Sequence, residues 1–174
     1  FWKGLGKFVI PFLLAGAAGL VSADVMGGGH AFISSLGSGA QGVEGVFSSP
    51  LWATLLIVVL LRLLVTVANM GAGVPCGAFI PMLAVGAGLG ALMSLLMQTM
   101  GMDAAYADAL TVICMAVFFT TVVRAPITGV LMTLELTWNF MFLLPALIGV
   151  AAGYLIGDVL RVRPVYDRLL DEML

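Results

Sequence analysis

The chain has 174 residues, of which 62% are hydrophobic and only 9% are charged. Because soluble domains carry charge on about a quarter of their residues, this composition excludes a soluble enzyme or binding domain and indicates an integral membrane protein in a lipid bilayer. The formal net charge of −2 argues against a nucleic-acid partner, which would require a basic surface.

Apolar segments follow one another along most of the chain, and we expect each to be a helix. The longer ones occupy 8–21, 50–69, 78–99, 109–123 and 140–160. A helix that crosses a bilayer needs about 20 residues, so several of these segments are full spans. Pro11 is expected in the first turn of the first helix, Pro50 at the start of the second, and Asp103 and Asp108 in a loop at 99–108.

Two further apolar segments are too short to cross a bilayer. One covers 30–36, after a run of three glycines, and the other covers 127–136, after Pro126. Irregular backbone at membrane depth is tolerated only inside protein or beside a cavity, so we expect both segments to be re-entrant. Broken helices of this kind are typical of transporters. A last, charged segment should form a short helix that starts at Pro164 and leaves the membrane.

The basic residues indicate the orientation of the chain, because cytoplasmic loops are enriched in Lys and Arg. The loop at 99–108 carries only acidic residues and is expected outside. The basic residues near the two ends are expected on the cytoplasmic side: Lys3, Lys7, Arg161, Arg163 and Arg168.

The central break is Gly73-Val-Pro-Cys-Gly-Ala-Phe-Ile-Pro81. Proline cannot continue a helix, because it lacks an N–H and its ring crowds the preceding turn, but Pro81 fits the first turn of a new one. We therefore expect a helix to begin near Ala78, with unpaired N–H groups and the positive end of its dipole at membrane depth. Such a helix start is suited to hold an anion.

Five motifs in order carry a resemblance to a known family. They are Gly27-Gly-Gly-His30, Leu61-Arg-Leu-Leu-Val-Thr66, Gly77-Ala-Phe-Ile-Pro81, Val123-Arg-Ala-Pro-Ile-Thr-Gly129 with Leu134-Glu-Leu-Thr137, and Arg163-Pro-Val-Tyr166. Together they resemble the second half of the membrane domain of the CLC family of chloride channels and proton-coupled anion transporters. The motif that begins at Val123 is the most specific of the five.

The resemblance implies an all-α integral membrane fold with broken and re-entrant helices. Residues 1–174 would be the second inverted repeat, the C-terminal half of a CLC-type transmembrane domain, without a cytoplasmic regulatory domain. The N-terminal half, which in the family holds the gating glutamate, would be a partner of this chain, and two complete subunits would form a homodimer, partly through 127–160.

The resemblance also implies the site. The backbone amides of Ala78 and Phe79 and the hydroxyl of Tyr166 would bind the anion, and Gly77, Ile80 and Pro81 would set the backbone geometry. The function implied is passive or proton-coupled transport of a small inorganic anion across a bacterial plasma membrane, not an enzymatic reaction. Chloride is the first candidate for this ion, with fluoride and nitrate left open, and we expect neither a metal nor an organic cofactor.

Two other classes of membrane protein are alternatives for this chain. A non-transporting membrane scaffold would keep the packing residues but has no reason to keep both Gly77–Pro81 and Tyr166. An intramembrane aspartyl protease is disfavoured, because Asp158 stands in an incomplete motif and Asp24 lies in a break.

The resemblance gives Arg124 and Glu135 no transport role, and for both we favour structural pairing or interface placement. His30 lies at a junction between a loop and a helix, where we favour a hydrogen-bonded structural imidazole over a proton relay. The role of Arg62, an ionisable residue inside an apolar segment, stays open.

Overall fold

The computed structural model describes residues 2–22, 25, 29–37, 50–72, 77, 79–161 and 163–167, and within these residues it contains helices and no strand. The α-helices are α1 (Trp2–Val21), α2 (His30–Gly37), α3 (Leu51–Gly71), α4 (Phe79–Thr99), α5 (Ala107–Val123), α6 (Pro126–Thr137) and α7 (Leu143–Val159). Two short 3-10 helices, Ala104–Tyr106 and Phe140–Phe142, lead into α5 and α7.

The predicted mixture of full and half-length helices is confirmed. In the part of the chain that the structure describes, four helical segments are long and apolar enough to cross a membrane: Leu51–Gly71, Phe79–Thr99, Ala104–Val123 and Phe140–Val159. In contrast, α2 has 8 residues and α6 has 12, so neither can span alone. The fold is therefore an all-α membrane domain with broken helices.

Two sequence predictions about local structure were wrong. Pro11 lies inside α1 and not in its first turn, since the helix begins at Trp2; membrane helices tolerate an internal proline where neighbouring groups satisfy the freed backbone. Asp108 lies in the first turn of α5 and not in a loop, a position where the helix dipole favours an acidic side chain. The preceding loop is closed by Asp103, whose side chain accepts a hydrogen bond from the Ala105 amide at 3.1 Å.

The acidic and basic ends of the domain lie at opposite ends of α5. Asp108 stands in its first turn, whereas Arg124, which follows its last residue, contacts the carbonyl oxygen of Gly157 near the end of α7. Arg161 and Arg163 follow α7 directly. The predicted orientation requires this separation of acidic and basic residues, and the orientation itself stays a prediction.

Helices α4 and α5 pack with their backbones in contact, through two glycines one turn apart on α4. A Cβ atom added to Gly86 would lie 2.8 Å from the Cα of Met115, and one added to Gly90 would lie 2.6 Å from the Cα of Thr111. Real Cβ atoms do not approach backbone so closely, so both positions require glycine. The Gly-x-x-x-Gly spacing is a known device for close helix contact in membranes.

Glycines on α7 bring this helix onto another side of α5. A Cβ atom at Gly149 would lie 2.9 Å from Ile113, and one at Gly153 would lie 2.8 Å from Val117. On α6, a Cβ atom at Gly129 would lie 2.5 Å from Oγ1 of Thr120. Three helices therefore reach α5 through positions that lack a side chain.

A second packing centre lies where α2, α3 and α4 meet. Phe32 on α2 and Leu83 on α4 are fully buried there. Arg62 on α3 is only 4% exposed, and its guanidinium carbon lies 5.2 Å from the centre of the Phe32 ring. A cation held over an aromatic face in this way is stabilised by the ring quadrupole. The contact between Arg62 and Phe32 therefore anchors α2 to α3.

The glycine contacts predict a stability difference between two equivalent substitutions. Gly86→Ala should destabilise the protein by about 1–3 kcal/mol, because the added methyl group overpacks the contact with α5. Gly16→Ala on α1 is the matched control, since a Cβ there meets nothing within 4 Å, and it should stabilise the helix by about 0.5–1 kcal/mol. Unfolding midpoints of the detergent-solubilised protein measure both effects. A Gly86→Ala midpoint equal to that of the wild type would contradict the close contact.

Two fully buried threonines allow a second stability prediction. The Thr120 hydroxyl has no hydrogen-bond partner among the described residues, whereas that of Thr133 donates to the Gly129 carbonyl at 2.7 Å. Thr120→Val removes an unsatisfied polar group and should leave stability unchanged or raise it by up to about 1–3 kcal/mol. Thr133→Val removes a bond and should cost about 0.5–1.5 kcal/mol. Chemical denaturation of the two variants compares them, and the prediction fails if Thr120→Val is the less stable one.

Candidate functional site

The central break contains the predicted start of an anion-binding helix. Helix α3 ends at Gly71, and α4 begins at Phe79 with Pro81 as its third residue. The helix therefore starts within one residue of the predicted position. Ala78, the other predicted amide donor, lies outside the described residues. The first N–H groups of a helix have no partner within it, and in α4 these include Phe79 and Ile80.

Gly77 lies just before this helix and is exposed. A Cβ atom added there would meet nothing within 4 Å. Among the described residues, the backbone at Gly77 therefore borders open space. This is the position where the sequence predicts that the backbone approaches an anion closely.

The structure brings Phe79 and Tyr166 together from distant parts of the sequence. Their ring centres lie 6.2 Å apart at an interplanar angle of 35°. The Phe79 ring also stacks on Phe119 of α5, with 5.5 Å between centres and an angle of 29°. Such distances are typical of favourable aromatic pairs. The predicted amide donor and the predicted hydroxyl donor therefore belong to one aromatic cluster, which we call the Phe79 cluster: Phe79, Phe119 and Tyr166.

Phe119 was not predicted as part of the site. It is fully buried on α5, and in the sequence it is one of many aromatic residues in an apolar segment. A contact between residues forty positions apart leaves no local pattern, so the sequence contains no signal for it. Its position explains why Phe79 is fixed, because stacking on Phe119 holds the Phe79 ring against α5.

Tyr166 is positioned by the residues around it. Helical backbone covers Val165 to Asp167, directly after Pro164, as the sequence predicts; residues 168–174 lie outside the described part. Val165 packs against the core shared by α2, α3 and α4. Because Val165 holds this turn against the core, the neighbouring Tyr166 reaches the start of α4 and remains 38% exposed.

Arg124 connects the break between α5 and α6 to the end of α7. Its backbone is left-handed, with φ of 64°. Its guanidinium donates to the carbonyl oxygens of Tyr154, at 3.0 Å, and Gly157, and lies 5.3 Å from the Tyr154 ring centre. A basic side chain commonly satisfies the last carbonyls of a helix. These contacts agree with the structural role that we favoured for Arg124.

Glu135 lies elsewhere in the structure. It is exposed on α6, and it lines a cavity with His30 and Ile80. The two residues thus have different surroundings: Glu135 borders a cavity, whereas the guanidinium of Arg124 is hydrogen-bonded to backbone carbonyls. Residues 27 and 28 of the glycine run before His30 lie outside the described residues.

Comparisons with known proteins agree with the motifs. The model of the voltage gated chloride channel family matches residues 2–158. A protein of Yersinia pestis named H(+)/Cl(-) exchange transporter ClcA is 29% identical over 180 aligned residues, which include 99% of this chain and 35% of the relative. Proteins of the same name from Vibrio parahaemolyticus and Vibrio cholerae are each 30% identical, over 93% and 87% of this chain.

The chain spans about a third of the length of these curated relatives. The family match ends before Tyr166, but an alignment with 99% of the chain includes this residue. With its apolar spanning helices and bacterial relatives, the protein is a multi-pass protein of the bacterial plasma membrane. The match over residues 2–158 shows that the chain belongs to the voltage gated chloride channel family, the CLC family.

Proposed function

We propose that this chain is part of a transport protein that carries chloride across the bacterial plasma membrane, and that it provides one side of the anion site. The amides of Ala78 and Phe79 and the hydroxyl of Tyr166 would bind the ion. The observation that supports this proposal most directly is the 6.2 Å separation of the Phe79 and Tyr166 rings, which places a helix start and a phenol beside each other.

The chemistry of these donors suits transport. Backbone N–H groups and a phenol O–H are neutral hydrogen-bond donors. They replace part of the water around a chloride ion without the full opposite charge that would hold it too tightly, and conduction requires both entry and release. The dipole of α4 adds partial positive charge at the same end of the helix.

The backbone before α4 supports the same proposal. Pro81 fixes the first helical turn and supplies no N–H of its own, so the donors at this end belong to the residues before it. Gly77 adds no side chain between these amides and the open space beside them. Ile80 lines a cavity that adjoins the helix start, so the ion would have room to approach.

The name of the relatives indicates which anion is transported and which ion is coupled to it. Their name, H(+)/Cl(-) exchange transporter, gives chloride as the anion and protons as the coupled ion, and we extend both to this protein. The function proposed is transport and not catalysis. A scaffold is less well supported, because packing alone does not require a phenol beside the free amides of a helix start.

We further propose that the chain works with a segment equivalent to the remainder of its longer relatives. Helices α2 and α6 are too short to span the membrane, and in lipid their end groups would lack hydrogen-bond partners unless protein covers them. That segment, the predicted N-terminal half, would complete the anion site. Two complete subunits would then associate through the apolar surface of α6 and α7, where Ile127 and Ile148 are 74% and 65% exposed.

Tyr166→Phe should weaken anion binding. Loss of one hydrogen bond to a charged group costs about 1.5–3 kcal/mol, which corresponds to a roughly ten- to hundredfold higher Kd. The measurement is titration calorimetry of the purified protein with chloride. Phe79→Leu, which keeps the amide, should change the Kd much less.

The matched control is Tyr154→Phe. Tyr154 is 38% exposed, as is Tyr166, but it lies on α7 beside Arg124, and phenylalanine keeps the ring that Arg124 contacts. Its Kd should equal that of the wild type. Equal chloride affinity in wild type and Tyr166→Phe would remove Tyr166 from the site.

The chain by itself should not form a working pathway. Unpaired backbone groups at the ends of α2 and α6 would each cost several kcal/mol in lipid, so the remainder of the domain is needed. Chloride efflux from liposomes can be measured with the chain alone and with the chain co-expressed with that remainder. Selective efflux from the chain alone, lost in Tyr166→Phe, would contradict the proposal that a second segment completes the site.

A further inference from the structure

Two neighbouring cavities are both lined by His30, and Leu136 also lines both of them. The first has a volume of about 550 Å³ and is lined by residues that include His30, Asp108, Thr111 and Asn139. The second has a volume of about 450 Å³ and is lined by His30, Ile80, Glu135 and others. A water molecule occupies about 30 Å³ of the liquid, so each cavity has space for several. Each cavity also contains a carboxylate.

The first cavity lies at the acidic end of the domain, because Asp108 and Thr111 belong to the first turns of α5. The second reaches the start of α4, whose first residue packs on Phe119 near the other end of α5. Thr111 and Phe119 are eight residues apart, or about 12 Å along a helix. His30 therefore stands between the end of the domain that we predict to be outside and the proposed anion site.

The position of His30 is fixed by its neighbours. Gly29 precedes it with φ of +103°, and a Cβ there would lie 2.6 Å from the Cβ of Ala84 and 2.7 Å from Arg62. Phe32 follows two residues later, fully buried beneath the Arg62 guanidinium. The start of α2 thus cannot shift without disturbing α3 and α4, whereas the His30 side chain itself is exposed to the cavities.

We propose that His30 binds protons and passes them between the two cavities. The imidazole accepts a proton on one ring nitrogen from water or Asp108 in the first cavity. It releases the proton on the other nitrogen to water or Glu135 in the second. One proton enters and one leaves, so the ring returns to its neutral form. This inference rests on the proposed anion transport and assigns a residue to the movement of protons that accompanies it.

The chemistry of the surrounding groups suits this role. Imidazole is the side chain that normally changes its charge between about pH 5 and 8, and its two nitrogens can face different partners. Among the residues that the structure describes, the titratable groups that line these cavities with His30 are Asp108 of α5 in the first and Glu135 of α6 in the second. The guanidinium of Arg62 on α3 lies over the Phe32 ring and beside Gly29, and α4 carries no titratable side chain. Two proton acceptors thus flank His30.

The test is chloride flux and proton flux through the complete protein in liposomes, at about pH 5.5 and pH 7.5. In the wild type we expect proton flux to change severalfold with pH. In His30→Gln proton flux should fall at least about tenfold and lose this dependence, while chloride flux continues. Asp108→Asn and Glu135→Gln should each lower proton flux.

Asp103→Asn is the matched control for Asp108→Asn. Asp103 lies five residues before Asp108, is exposed, and caps the short helix at 104–106 with an oxygen that asparagine retains. Its proton flux should equal that of the wild type. Chloride affinity, measured alongside, shows whether each variant is folded and binds the anion.

The possible results of these measurements distinguish failure of the His30 proposal from failure of the proposed function. If the wild type carries no chloride, the proposed function fails. If it carries chloride and protons and His30→Gln carries both unchanged, with the same pH dependence, the His30 proposal is overturned while the anion site stands. An infrared difference spectrum of the wild type, compared with that of His30→Gln, should show an imidazole protonation signal within this pH range, and its absence also contradicts the proposal.

Discussion

Close approach of backbone to backbone at α5 is the constraint on which the rest of this structure depends. Helices α4, α6 and α7 meet α5 through glycines, and at Gly86 and Gly90 the neighbouring atoms are backbone atoms of α5 that cannot move aside. Helices in lipid gain little from hydrophobic association, so tight packing has to supply the attraction. Because α4 lies so close to α5, its first residue, Phe79, can stack on Phe119, and the start of α4 is fixed in the membrane.

The elements and their breaks could be predicted from the sequence because proline, glycine and hydropathy act locally. Pro50 and Pro126 each stand at a helix start, and the start of α4 was placed within one residue. The two errors have different causes. The first helix begins earlier than its hydropathy indicates, which puts Pro11 inside it, and Asp108 is acceptable on either side of a helix start. The motifs identified Phe79 and Tyr166, but not Phe119, because a contact over forty residues has no local signature. The role of Ala78 stays a prediction.

The two arginines within the apolar segments show how full charges are used in this domain. Arg62 is buried over the ring of Phe32, and Arg124 is fixed on carbonyl oxygens of α7. A charged side chain in a membrane domain is costly unless it is held by partners, and for both arginines such partners belong to neighbouring helices. The guanidinium groups therefore join helices, while the donors proposed for the anion are neutral amides and a phenol.

This division of roles has a consequence for transport. Arg124 holds the end of α7, and the chain continues from there through Arg161, with φ of 51°, to the turn that carries Tyr166. Phe79 and Tyr166 are presented by two elements, the start of α4 and the turn after α7, that are joined at the aromatic cluster and not by a continuous helix. A relative movement of these elements would change the distance between the amide and hydroxyl donors. In the proposed anion site, such a change in distance would lower the affinity for the ion while the tight packing around α5 stays intact.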